Sequence, residues 1–376
     1  MTEREPGAVR RATWGRWMLA AAVLAAALSG CWDQLAFPNR ASTLVMSVRY
    51  ARRPDRWQWT FYFPNPAVTV SSLPQIAPGE QIYAIGVRAP TLASAYAAAQ
   101  QRLARDLYLG QLQDIVWSSD APLPAVASFI AAYNREGMTP KTAYVAVAPP
   151  PLDRILAPSP QEVIPSVYLT RVFSCLECQS VMLTEPLWKL WDSIETPGVS
   201  PVAPYLPGTG VLSRIAVYPP TGPPVIFSPT ETLGWAYLTH RVHKETLTLT
   251  MPAGLASITR VHGIVVNHVE WTGQRLEVQV DMRLTGVVAQ WPVAVPLTER
   301  RLQTLETAGA RSVLADCLAA LRRGATSRTD PFGYARLYLF RHPGAWGQIP
   351  ARDWDRLPYT AHVQVSLLLQ ETGVST

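Results

Sequence analysis

Two cysteines of this 376-residue chain stand three positions apart, at Cys175 and Cys178, and this pair is the clearest candidate for chemistry in the sequence. Such a pair, when it lies outside the cytoplasm, can form a disulfide, half of a metal site or a redox centre. A zinc site needs two further ligands at suitable spacing, and Cys317 is far away along the chain. Since nothing around the pair is typical of thioredoxins, we favour a structural or disulfide role over metal binding, and metal binding over redox catalysis.

A second candidate is the pair His240 and His243, which is followed by Glu245. These side chains would converge on a metal only in a helix, because residues three apart in a strand point to opposite faces. The surrounding residues indicate strand and loop. We therefore interpret the histidines as surface or hydrogen-bonded residues and expect no metal site.

Carboxylates and aromatic residues also form groups that deserve a chemical interpretation. Asp353 and Asp355 flank Trp354 and resemble a catalytic carboxylate pair, but residues two apart also flank a buried tryptophan as a solvated pair. We favour the solvated pair, with Trp354 in the core. The aromatic run from Trp57 to Phe63 is likewise assigned to sheet packing, with a partner surface as the alternative.

Common enzyme signatures are missing from the sequence. It contains no phosphate-cradling Gly-x-x-x-x-Gly-Lys-Ser/Thr loop, no Gly-x-Ser-x-Gly elbow and no His-Glu-x-x-His pair. We therefore predict a protein that is not an enzyme, with no catalytic residues and no cofactor. An extracytoplasmic enzyme that uses other polar residues stays open, and it would require a deep cleft with converging carboxylates or histidines.

The amino terminus carries the pattern of a secretory signal. Four arginines precede an apolar run of about a dozen residues, which ends in Leu28-Ser29-Gly30-Cys31. A small-residue site followed by cysteine resembles a bacterial lipobox, in which the thiol receives a diacylglyceryl group and the chain is cut before it. The apolar run is shorter than the roughly 20 residues of a membrane-spanning helix. We predict a signal peptide at 1–30 and lipid attachment at Cys31, with palmitate among the acyl chains.

Composition indicates folded domains. The chain is 48% hydrophobic and 16% charged, which excludes disorder and allows two or three domains. The net charge is +6, of which four arginines and two glutamates before residue 31 contribute +2, so about +4 remains, without long basic runs. We therefore expect no nucleic-acid partner. The 34 prolines help to locate domain boundaries.

We predict an α+β fold of three domains, each a β-sheet flanked by helices. The N-terminal α+β domain spans 31–195 and begins with a hairpin of two strands, Ser42 to Tyr50 and Trp57 to Phe63. Thr91 caps a helix that extends to Leu109 and ends at Gly110. The later elements of this domain are a strand at 116–117, a helix at 122–136, a buried strand at 143–148 and helices at 158–174 and 181–195.

A proline-rich linker is predicted at 196–209, and a small middle β-rich domain follows at 210–243 with strands at 214–218, 224–227 and 233–238. The C-terminal domain, 244–376, is predicted as a sheet with one long helix. Its strands are expected at 245–251, 256–270, 275–285 and 363–369. Its helix is expected from Thr298 or Glu299 to about Leu321, ended by Gly324.

Several stretches resemble the Ger(x)C-type spore germination lipoproteins, which are the C subunits of nutrient germinant receptors. Cys31-Trp32-Asp33 is similar to the opening of the mature proteins of that family. The C-terminal order is more specific: a long helix, the turn Asp330-Pro331-Phe332-Gly333, an aromatic and basic stretch at 338–342, and then tryptophans before the last strand. The middle-domain hairpin of the family is similar to residues 214–217 and 232–235.

This resemblance implies a non-catalytic, lipid-anchored subunit on the outer face of the spore inner membrane. It also implies two integral-membrane receptor subunits as partners and a role in nutrient-triggered germination. The alternative is a solute-binding lipoprotein of an importer, which would consist of two similar lobes of parallel sheet around a cleft. Because the predicted domains are unequal and do not form two similar lobes, we rank this function second.

Overall fold

The structure, a computed structural model, describes residues 39–53, 57–65, 82–135, 137, 139–156, 165–175, 179–208, 212–252, 254–292, 296–347, 351–354 and 356–371. The chain divides into two compact units, residues 1–41 and 42–376, and only 39–41 of the first are described. The predicted signal peptide, the predicted lipid-attachment residue Cys31, and the residues Cys178 and Asp355 lie outside the described residues.

The described residues form fourteen strands and eight α-helices, and the three longest strands and the longest helix lie in the second half of the chain. The strands are β1 (Arg40–Ser42), β2 (Val45–Arg49), β3 (Gln58–Pro64), β4 (Ile82–Arg88), β5 (Asp106–Tyr108), β6 (Asp114–Ser118), β7 (Tyr144–Ala148), β8 (Val202–Tyr205), β9 (Arg214–Val217), β10 (Val225–Ile226), β11 (Glu245–Met251), β12 (Gly254–Trp271), β13 (Leu276–Gln290) and β14 (Tyr359–Glu371). The helices are α1 (Leu92–Gln100), α2 (Leu123–Arg135), α3 (Pro165–Ser174), α4 (Leu187–Glu195), α5 (Pro229–Leu238), α6 (Glu299–Ser327), α7 (Tyr334–Arg341) and α8 (Ala351–Trp354). This mixture confirms the predicted α+β class.

Eight of these strands form one mixed sheet in the order β10-β9-β8-β7-β6-β2-β3-β4. Its centre is parallel, since β6 pairs in parallel with both β2 and β7. The hairpin predicted for the start of the N-terminal domain is confirmed, with β2 and β3 antiparallel and Ser47 opposite Thr60. Trp59 is buried and its ring lies 5.8 Å from that of Phe129 on α2, so this aromatic residue serves sheet packing as predicted.

Helix α1 begins as predicted but ends earlier. The hydroxyl of Thr91 accepts the N–H of Ser94 in a reciprocal capping box. The helix stops at Gln100, nine residues before the predicted end, because the Gln100 side chain closes a turn. Its amide donates to the Arg105 carbonyl at 2.9 Å and its oxygen accepts the Leu107 N–H at 2.6 Å. The chain therefore re-enters extended structure as β5.

The region predicted as a linker and a small middle domain has a different arrangement. Residues 196–209 contain strand β8, which pairs with β7 and β9 and so carries the large sheet across the predicted boundary.

The strand predicted at 233–238 is wrong, because these residues lie in helix α5. Ser228 caps this helix, Pro229 occupies its first turn and Glu231 completes the capping box. The predicted helix at 181–195 forms only from Leu187 onward.

The second sheet has the order β11-β12-β13-β14 and confirms the predicted C-terminal strands. Helix α6 covers one face of this sheet and extends to Ser327, so the predicted end at Gly324 is wrong. A Cβ at Gly324 would lie 2.3 Å from the Tyr359 hydroxyl and 3.2 Å from the Thr329 carbonyl oxygen, so glycine permits close packing here. The helix ends where Arg328 adopts a left-handed conformation, with φ of 54°.

One apolar core joins α5, α6 and the inner face of the second sheet. Trp235 of α5 and Trp354 before β14 are both fully buried in it, as predicted for Trp354. A Cβ at Gly234 would lie 2.0 Å from the Asp316 carbonyl, so only glycine allows α5 and α6 to approach so closely. Among the described residues, no helix combines the length and the apolar character needed to cross a bilayer.

Candidate functional site

The turn between α6 and α7, Asp330-Pro331-Phe332-Gly333, is organised by a buried carboxylate. One oxygen of Asp330 accepts the N–H groups of Phe332 at 3.2 Å and Gly333 at 2.9 Å. The other oxygen accepts the N–H of Ala335 at 3.0 Å. Gly333 precedes α7 with φ of 73°, a conformation that glycine adopts at little cost. Asp330 therefore satisfies donors in the first turn of α7 that have no partner within the helix.

Burial governs the protonation of Asp330. Its side chain is removed from water, and this desolvation raises the pKa to about 7, while the backbone N–H groups of the turn hold it from rising further. The carboxyl group therefore changes charge near neutral pH in the folded protein. The adjoining phenol of Tyr334 is also buried, and its pKa lies above the usual value, first because of burial and second because of the Asp330 charge.

The same turn binds two other parts of the chain. Ser200 exchanges two bonds with Asp330, since its N–H donates to the Asp330 carbonyl at 2.8 Å and its hydroxyl accepts the Asp330 N–H at 2.9 Å. The indole N–H of Trp235 donates to the Pro331 carbonyl at 2.9 Å. The Gly198 carbonyl accepts the first-turn N–H of Arg336 at 2.8 Å. Segments far apart in sequence therefore meet at this turn.

A groove of about 580 Å³ lies beside the turn. Two ion pairs cross it: Arg241 binds Glu185 at 2.9 Å and Arg336 binds Asp192 at 2.8 Å. The Arg241 guanidinium also stacks 5.0 Å above the ring centre of Trp235. Burial raises the pKa of the Glu185 carboxyl, and the charge of Arg241 partly opposes that rise. We call this region the α4–α7 groove, after the two helices that carry its rim.

Aromatic side chains form the rim of the α4–α7 groove. Trp188 on α4 is 47% exposed and Phe340 on α7 is 61% exposed. Each carries a cation over its ring, Lys189 at 5.6 Å and Arg336 at 5.4 Å. Large exposed aromatic residues beside cations are typical of contact surfaces.

The acidic side chains of the groove are engaged in ion pairs. Its two acidic side chains each bind an arginine, so neither is positioned as a free general base. In the part of the chain that the structure describes, no group of three histidine, cysteine or acidic side chains could hold a metal. The charged and aromatic groups of the groove can recognise a partner by contact.

Of the described cysteines and histidines considered from the sequence, His240 lines this groove, whereas Cys175, Cys317 and His243 do not. Cys175 is in a disulfide bond, and its partner lies outside the described residues because Cys317 is free and buried. His240 follows α5 with φ of 58°, and His243 lies just before β11. This segment is turn and strand, as the sequence indicated, so the two histidines do not share a helical face.

Sequence reasoning missed the polar residues that build the groove. Ser200, Glu185 and Arg241 carry no motif, and they come together only through tertiary folding. The Asp330 turn was the detectable part, since an aspartate followed by proline and then glycine is a turn signal. Its similarity to a family motif gave no information about which segments it would bind.

Comparison with known proteins gives a consistent result over most of the chain. Residues 39–207 match the family of spore germination protein N-terminal domains. Residues 226–373 match the family described as spore germination B3/GerAC like, C-terminal. The crystal structure of the GerBC protein is similar in fold, with a TM-score of 0.55 and 11% sequence identity over 87% of this chain and 98% of that one. No curated protein sequence matches.

Proposed function

The chain belongs to the Ger(x)C family of spore germination proteins, and we propose that it is the lipid-anchored, non-catalytic C subunit of a nutrient germinant receptor. The observation that carries this proposal is the ordered match of both family domains, over 39–207 and then 226–373. A receptor subunit of this kind acts by assembly, so its surface matters more than any reactive group.

The groove supports a role in contact. The two ion pairs and the exposed Trp188 and Phe340 form a surface of mixed charge and aromatic character, which is suited to binding another protein. We propose that the partners are two integral-membrane receptor subunits. Confinement to the same membrane raises the effective concentration of the subunits, so that a weak contact suffices for assembly.

The proposed membrane attachment is a diacylglyceryl group on Cys31, after removal of residues 1–30. The basic and apolar presequence and the Leu28-Ser29-Gly30-Cys31 site support it. Two acyl chains on one cysteine provide stable anchoring. The proposed location is the outer face of the spore inner membrane.

Deletion and complementation test the role. Spores that lack the gene should form in normal numbers and fail to germinate with nutrients, whereas germination by a trigger that bypasses receptors should be unchanged. The wild-type gene should restore the nutrient response. Normal nutrient germination of the deletion strain, with each nutrient class supplied separately, would refute the proposed role.

Membrane fractionation tests the anchor. The Cys31→Ala protein should leave the membrane fraction, because it lacks the acylated thiol. Cys317→Ala is the matched control, since it removes a buried thiol far from the lipobox and should stay with the membrane. Retention of Cys31→Ala in the membrane would refute lipid attachment at this residue.

The importer alternative predicts two similar lobes of parallel sheet. Among the described residues, twelve of the fourteen strands form one mixed sheet of eight strands and a four-stranded sheet in which β13 and β14 are the one parallel pair. These sheets differ in size and topology. No observation therefore favours a solute-binding lipoprotein over the receptor subunit.

A further inference from the structure

Strand β14 forms an edge of the second sheet. Within the described residues it pairs with β13 on one side, and no strand pairs with its other side. Helix α6 runs beside this edge, and a groove of about 350 Å³ separates the two. The helix side of this groove is lined by Glu306, Thr307, Ala310, Arg311 and Leu314, and the strand side by Val365, Ser366 and Leu367. We call it the edge groove.

One hydrogen bond shows which backbone groups of β14 face the edge groove. The N–H of Leu369 donates to the Glu306 carboxylate on α6 at 2.9 Å, so this N–H points away from β13. Alternate residues of a strand direct their backbone groups to the same side. Val363, Val365 and Leu367 therefore direct N–H and C=O outward as well. Within the described residues, the outward N–H groups of these three have no hydrogen-bond partner.

Apart from the Glu306 carboxylate at the Leu369 N–H, the strand itself carries little of the usual protection against strand pairing. From Tyr359 to Gln370 the sequence contains no lysine, arginine, acidic residue or proline. Leu368 on the open face of the sheet is 62% exposed. Protein edge strands are usually kept apart by charge, proline, bulges or a covering element. A twelve-residue uncharged edge is therefore a template for another strand.

We propose that this other strand is β14 of a second copy of the chain, paired antiparallel across a two-fold axis near Val365. The pairing joins two four-stranded sheets into one of eight strands and places the two α6 helices side by side. It supplies each outward N–H with a carbonyl from the same set of residues on the other copy. The contact is isologous, so it closes at two copies.

Chemical complementarity favours a second copy as the occupant. An uncharged strand can face itself without like charges meeting across the pair. Leu367 and Leu369 are buried in the core of their own chain, so it is the half-buried Val363 and Val365 that lie against Ala310 and Leu314 in the edge groove of the other copy. This proposal does not depend on the proposed receptor function.

The mass of the full chain in detergent tests the proposal directly. Light scattering that separates protein mass from detergent mass should give twice the mass of one chain at high concentration and a shift toward one chain on dilution. Hydrogen exchange should show slower exchange of the amides at 363, 365 and 367 in the concentrated sample. These amides should exchange freely in the diluted one.

Two substitutions distinguish this edge from other surfaces. Gln364→Lys places a charge at the pairing edge and should raise the dimer dissociation constant several-fold. Gln279→Lys is its matched control, because Gln279 is also exposed on the open face but lies on the inner strand β13, and this change should leave the constant unchanged. Val365→Pro removes one outward N–H without removing a bond to β13, and it should abolish the dimer while thermal unfolding stays cooperative.

Three results would overturn the proposal. The first is a single-chain mass at every concentration. The second is a dimer that Gln364→Lys and Val365→Pro leave intact, which would assign the contact to another surface. The third is a single chain whose 363–367 amides become protected only when the membrane-spanning subunits are co-expressed, which would make a partner's strand the occupant.

Discussion

Asp330 makes the stability of the folded protein depend on pH in a predictable direction. Its pKa rises from 3.8 in water to about 7 in the folded chain because burial penalises the charged form. The folded state therefore binds a proton more tightly than the unfolded state between these two values. The contribution of Asp330 to the free energy of unfolding is therefore fully present below pH 3.8, decreases as the pH rises, and levels off above about pH 7.

The size of the effect follows from the same two values. Between the two pKa values, each pH unit changes the free energy of unfolding by about 1.4 kcal/mol. The Asp330 contribution therefore falls by about 2 kcal/mol between pH 5 and pH 7. Asp330→Asn cannot ionise and should remove this contribution to the slope. It should also lose one acceptor, because the asparagine NH₂ group faces the Ala335 N–H where a carboxylate oxygen was.

Denaturant unfolding at pH 5, 6, 7 and 8, followed by tryptophan fluorescence, measures both effects. The mutant should be less stable than the wild type at pH 5, and the difference should shrink or reverse toward pH 8. Asp120→Asn, which neutralises an exposed carboxylate, is the control and should retain the wild-type slope. Equal pH slopes for the wild type and Asp330→Asn would refute the argument that burial controls this carboxyl group.

Three other substitutions test the groove and the helix beside it by the same unfolding measurement. Gly198→Ala should destabilise by about 2 kcal/mol more than Gly222→Ala, because both glycines have positive φ but only at Gly198 would a Cβ lie 2.6 Å from the α7 backbone; equal losses would contradict this close approach. Trp235→Phe should cost about 1–3 kcal/mol, since the buried Pro331 carbonyl loses its donor, and an unchanged midpoint would show that this bond contributes nothing. Ser228→Ala should cost about 1 kcal/mol through the lost cap of α5, and no loss would show that the cap does not stabilise α5.

Local signals account for the parts of the fold that the sequence predicted. The long C-terminal strands alternate apolar and polar residues, and the β2–β3 hairpin consists of two runs of β-branched and aromatic residues around a turn. Both signals are local in sequence. The start of α1 was predictable because the Thr91 cap lies within the helix itself. Its end was not, because the turn at Gln100 depends on side-chain bonds that no periodicity reveals.

Strand β8 and helix α5 were missed for different physical reasons. Proline is unfavourable in a central strand, so Pro204 argued against one at 202–205. The structure tolerates it because β7 pairs with β8 only between Val147 and Tyr205, which leaves few ladder bonds for proline to remove. Helix α5 did carry a local signal in Ser228-Pro229 and Glu231, and the resemblance of its later residues to a strand motif outweighed that signal.

The α4–α7 groove could not be predicted because it is built from four distant segments. Its lining comes from residues 185–202, 235–241, 265–267 and 331–340, and neither their order nor their composition indicates that they meet. The Asp330 turn was recognisable by itself. Its partner Ser200 was placed within a predicted linker, where no contact was expected.

Strand β8 also links the two sheets of residues 42–376. Ser200, two residues before the strand, is bonded to the Asp330 turn, and the strand itself is bonded into the large sheet. The Asp330 turn connects α6 to α7, and residues of both helices pack in the core of the second sheet. The two sheets therefore cannot move apart as independent bodies unless these bonds break.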